Sequence, residues 1–76
     1  MNTEERLKNI LSQILKIGVQ EINDSTALGV TPEWDSLRHL SLILTLEEDF
    51  DLTIPDEVVQ LLVSYSIIKE WLEANV

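Results

Sequence analysis

The stretch DSLRHLSLILTLEEDFDLTIPDE, residues 35–57, decides the fold. Asp35 is a favourable N-cap, because its short carboxylate can accept hydrogen bonds from the free backbone N–H groups of a first helical turn. Leu37, Leu40, Ile43, Leu44 and Phe50 then follow at helical spacing and predict a helix over about residues 36–49. Pro55 with Asp56 and Glu57 marks the opening of a short further helix over VVQLL, since proline is tolerated in a first turn and acids suit its positive end.

Working outward, Leu7, Ile10, Leu11, Ile14 and Leu15 recur at three and four, predicting an amphipathic helix from Glu4 to Ile17. Asn2 or Thr3 can cap its start, and Gly18 stands where a left-handed stop residue belongs. Residues 18–35 lack sustained periodicity and read as a long connection that Ile22 and Leu28 pin to the core. A loop of that length in a small domain is often functional. Ser64 or Ser66 can cap a last helix that turns Tyr65, Ile68, Trp71 and Leu72 inward. Four helices, no strand pattern and no repeat predict an all-α fold, a small four-helix bundle with a long first loop and a short third helix, in one domain over residues 1–76.

Composition narrows the function. A chain of 76 residues has little volume for a deep catalytic cavity. Its formal charge of -9 repels nucleic acid and anionic lipid, so the expected partners are basic proteins, with no nucleic acid and no membrane. The absence of Cys and a single His leave no disulfide framework and no structural zinc set, and any thiol chemistry must come from an added group. The N-terminus is polar and acidic where a signal peptide is basic then apolar, and VVQLLVSYSII is too short to span a bilayer. The expectation is a monomeric cytoplasmic protein.

Ser36 then admits three readings. It can be a cap serine beside Asp35. It can be a nucleophile, with His39 one turn on as its base, although neither a G-x-S-x-G elbow nor an evident oxyanion hole accompanies it; otherwise His39 lies solvated on the polar face. Or it can be an attachment point, because a phosphate on its hydroxyl would meet the free N–H groups and positive end of the helix.

The surrounding pattern distinguishes them. D-S-L at 35–37, then L-x-x-x-L-E-E-x-F within LTLEEDFDLTIPDE and I-P-x-E at 54–57, together with the apolar positions of the last helix, resemble the acyl carrier protein family over essentially the whole chain. The resemblance implies that Ser36 is esterified with 4'-phosphopantetheine, taken from coenzyme A by a phosphopantetheinyl transferase. The arm ends in a thiol that holds acyl groups as thioesters, which makes the domain a carrier and not an enzyme. It further implies that Asp35 orients the serine and metal-bound coenzyme A, and that Leu37 is an apolar contact for partners. By the same resemblance, acids such as Glu47, Glu48, Asp49, Asp51, Asp56 and Glu57 meet basic patches on acyl-loading and acyl-processing enzymes.

The sequence also departs from the common fatty-acid pattern. Arg38, His39 and Ser41 stand where housekeeping members more often carry acidic or small polar residues, and Trp34 precedes the motif, either as a cover for the loop's apolar underside or as a partner contact. The expectation is a discrete carrier for one pathway, of specialised metabolite or cell-envelope synthesis, with Arg38 tuning specificity. A housekeeping fatty-acid carrier and an unmodified helical interaction module are the alternatives. Five nearly contiguous apolar residues, Val58, Val59, Leu61, Leu62 and Val63, exceed what one helix face can bury. Leu62, Ile54 and Leu44 are therefore expected either to pack in the core or to line a cleft that shelters an acyl chain, while Val58 or Leu61 faces partners.

Overall fold

The computed structural model describes residues 2–76, and within them the expected all-α bundle is present. Helix α1 (Thr3–Leu15) is capped by Asn2, whose Oδ1 accepts from the Glu5 N–H at 2.8 Å, with Glu4 and Glu5 in the positive first turn. Its stripe of Leu7, Ile10, Leu11 and Leu15 is buried. The stop differs from expectation: Lys16 takes the left-handed conformation at φ 59°, whereas Gly18 has φ -69° and needs no glycine freedom. The turn must follow directly on the last buried residue, Leu15, and Lys16 tolerates it because its side chain stays in solvent.

The long connection is tied down along its length. A single 3-10 turn (Val19–Glu21) is closed by Glu21 accepting from the Gly18 N–H. Ile22 is buried and Leu28 packs against the core, as expected. The Leu28 N–H donates to the Val63 carbonyl and the Tyr65 N–H to that of Thr26, an isolated β-bridge that fastens the loop to the start of the last helix. Gly29, at φ 85°, makes the turn that brings the chain back toward Trp34.

Helix α2 (Ser36–Phe50) is capped by Asp35, whose Oδ1 accepts from the Arg38 N–H at 2.8 Å. Its inward face is His39, Leu42, Ile43 and Leu46, all buried, whereas Leu40 and Leu44 are 58% and 62% exposed and Leu37 is exposed as expected, at 74%. So many apolar residues crowd this helix that two faces satisfy the helical period, and α1 with α4 packs on the one that includes a hydrogen-bonded His39.

Helix α3 (Asp56–Val59) is a single turn opened by Pro55, shorter than the expected span over VVQLL. Helix α4 (Tyr65–Asn75) is capped by Ser64, whose Oγ accepts from the Ile67 N–H, and buries Tyr65, Ile68 and Leu72 with Trp71 packed at the margin. Helix α1 packs on both α2 and α4, so the core lies between these three and the short α3 closes one side.

Candidate functional site

Ser36 opens α2 and is exposed, and its hydroxyl makes no hydrogen bond among the described residues. Asp35 turns its carboxylate into the first turn to hold Arg38 N–H, leaving the neighbouring first-turn N–H groups facing solvent beside Ser36. Beyond the capping Asp35 itself, no acid lies in that turn. A phosphate ester on Ser36 thus lies beside the first-turn N–H groups that Asp35 does not hold, and the residues present fit the phosphate of a prosthetic group.

The nucleophile reading fails on geometry. His39 is not solvated as the polar-face alternative requires: it is 7% exposed, and both ring nitrogens are engaged. Trp34 Nε1 donates to His39 Nδ1 at 3.1 Å, and His39 Nε2 lies 3.1 Å from the Val59 carbonyl. Neither nitrogen is free to take a proton from Ser36. Trp34, 2% exposed, covers the inside of the loop and is not a surface contact.

Beginning one turn after Ser36, a groove of about 320 Å³ runs between α2 and α3, lined by Leu40, Ile43, Leu44, Glu47, Ile54, Asp56 and Val59. Leu40, Ile43, Leu44 and Glu47 continue the stripe of Ser36 along the helix at the three-and-four spacing of one face. Leu44 and Ile54 stand where the cleft was expected. Leu62 does not: it is 1% exposed in the core, because the chain leaves α3 in a tight turn after Val59, and Val59 takes its place on the wall. Leu40, Ile43 and Val59 were missed, although the register of Leu40 and Ile43 with Ser36 along α2 was readable.

The other expected contact residues divide by their engagements. Leu37 is exposed, as is Leu61 at 64%, while Val58 packs against the core. Arg38 is half-buried, its guanidinium donating to the Glu33 carbonyl at 2.9 Å. Glu47 accepts the Ile54 N–H at 2.8 Å, bracing the segment between α2 and α3, and Asp49 pairs with Arg6 at 3.0 Å. Glu48, Asp51, Asp56 and Glu57 are exposed and their carboxylates unengaged among the described residues.

Charge is therefore divided across the molecule. Arg6, Lys8 and Lys69 pair with acids around α1, whereas Glu48 and Asp51 at the far end of α2 and Asp56 and Glu57 in α3 have no ion-pair partner among the described residues. A second hollow of about 320 Å³ near Arg6, Asn9, Ile10, Gln13 and Asp49 lies nearly the whole of α2 away from Ser36, about 20 Å along the axis. Among the described residues no helix is long and apolar enough to cross a membrane, and no cluster of His, Asp and Glu could hold a metal ion. Residues 5–72 match a family model described as the phosphopantetheine attachment site.

Proposed function

Since the chain belongs to the phosphopantetheine-attachment family, whose members of acyl-carrier type bear a 4'-phosphopantetheine prosthetic group, we propose that Ser36 is the esterified residue and that the chain is a non-enzymatic acyl carrier. The observation that carries this reading is the exposed hydroxyl of Ser36, without a hydrogen bond among the described residues, in the first turn of α2 and inside D-S-L. When bound, the group supplies a flexible arm ending in the thiol that a cysteine-free chain lacks, to which acyl cargo is joined as a thioester.

This chain's residues do the rest. The N-terminus of α2 neutralises part of the ester phosphate's charge, and Asp35 keeps that turn formed while facing the transferase. Leu37, Leu40, Leu44 and Leu61 offer apolar anchors to partner enzymes, flanked by Glu48, Asp56 and Glu57 as the charges that steer basic surfaces. Cargo tethered at Ser36 folds back along the stripe into the groove over Leu44 and Ile54, whose volume is near the lower end of ligand pockets, about 300 Å³, and admits one short chain.

The carrier serves a dedicated pathway in the cytoplasm and acts as a monomer. The surface beside Ser36 carries Leu37, Arg38 and Ser41, where housekeeping fatty-acid carriers more often have acidic or small polar residues. The test uses the missing cysteine. After incubation with coenzyme A and a broad-specificity transferase, thiol titration should count one sulfhydryl per chain where there was none, and none in Ser36→Ala. A chain that stays thiol-free while a control carrier is loaded would be an unmodified interaction module.

A further inference from the structure

We propose that His39 is the positioning residue of the groove: through the Val59 carbonyl it fixes the α3 wall against α2, and with it the width that cargo tethered at Ser36 meets. Indole Nε1 can only donate, so the 3.1 Å contact from Trp34 makes His39 Nδ1 the acceptor and leaves the ring proton on Nε2. That proton is directed at the Val59 carbonyl, 3.1 Å away. The tautomer is thus chosen by a loop residue and read out by a wall residue.

The wall needs such a tie. Helix α3 is one turn long, below any length that is stable alone. Beyond it the Leu61 and Leu62 N–H groups return to Val58 and the Val63 N–H to Leu61, so no backbone donor reaches the Val59 carbonyl. The imidazole is what satisfies it. Trp34 lies tilted beside the ring, with centroids 6.0 Å apart and planes inclined by 32°, and its hydrogen bond anchors the strut to the loop that leads into Ser36. Loop, α2 and α3 thereby meet at one buried side chain, and no buried side-chain polar atom among the described residues is left without a partner.

The inference rests on the groove reading above, and its test separates the two. Amide hydrogen exchange is measured on the unloaded wild type, His39→Leu and His39→Gln. Leu removes both bonds, whereas the Gln amide offers one acceptor and one donor in place of the two ring nitrogens. In His39→Leu the amides of Val58, Val59, Leu61 and Leu62 should exchange about tenfold faster than wild type while α1 and α4 change little, and His39→Gln should restore most of the protection. Unchanged α3 exchange, a uniform rise over all helices, or no rescue by Gln would overturn the strut. Should His39→Leu not fold, Trp34→Phe, which deletes the indole donor and keeps the packing, carries the same comparison.

All variants are then loaded from acyl-coenzyme A of increasing chain length. The length at which the Leu44, Ile54 and Val59 signals stop moving should change in His39→Leu and return in His39→Gln. If these signals respond to no chain in wild type, the groove reading fails alone, and the unloaded exchange data still decide the strut.

Discussion

Asp35 and Ser36 are neighbours with separate tasks. The Asp35 carboxylate is committed to the Arg38 N–H, and the Ser36 hydroxyl is left open to solvent. Asp35→Ala should therefore lower stability by about 1 kcal/mol through the lost cap, measured by urea unfolding, while the matching Ser36→Ala should change it by less than about 0.5 kcal/mol. Equal losses in the two would mean that the serine also caps the helix, against its assignment as an attachment point. The same scale shows what single letters conceal. Asp35 as a cap was legible because cap chemistry is local. The role of Glu47, which braces Ile54 N–H, was not, because that bond closes a turn whose shape depends on where α3 settles. Nor was burial of His39, since its two partners lie in the loop and in α3.

Helix α2 carries leucine on both of its faces, and only packing separates them. Leu46 is fully buried and Leu44 is 62% exposed, so Leu46→Ala should cost about 2–5 kcal/mol and Leu44→Ala under about 0.5 kcal/mol in thermal or urea unfolding. Comparable losses would mean that the faces are assigned wrongly. The element boundaries of α2 and α4 were readable from Asp35 and Ser64. The inward face of α2 was not, because a helix apolar nearly all round has no unique stripe until its neighbours choose one. The seam of α1 with α4 makes a pH prediction. Burial, then the negative charge of Glu4, raises the Tyr65 phenol above its ordinary 10.0, and the hydrogen bond to Glu4 raises Lys69 above 10.5. Both folded values exceed the unfolded ones, so the stability they contribute is fully present below about pH 10 and is lost as pH rises through the folded values. The melting temperature should fall above pH 10, and less steeply in Tyr65→Phe; identical slopes would show that burial of the phenol does not matter.

The whole molecule is a small bundle of Cα radius of gyration 11.1 Å, close to the approximately 11 Å expected of a packed domain of this length. Packing at that density holds a formal charge of -9, with, among the described residues, three ion pairs gathered around α1 and the acids Glu48, Asp51, Asp56 and Glu57 unpaired along α2 and α3. Added salt or divalent cations should therefore raise the melting temperature, because screening relieves repulsion that the fold concentrates on one side. A melting temperature indifferent to both would place the acids too far apart to interact. That same asymmetry, with the apolar anchors beside Ser36, presents the face proposed to meet loading and processing enzymes. The most direct measurement of the account is the intact mass of the chain before and after incubation with coenzyme A and a broad-specificity phosphopantetheinyl transferase, with Ser36→Ala in parallel. The account predicts a gain of one phosphopantetheine by the wild type and none by Ser36→Ala. No gain under conditions that load a control carrier, or an equal gain by Ser36→Ala, would contradict it.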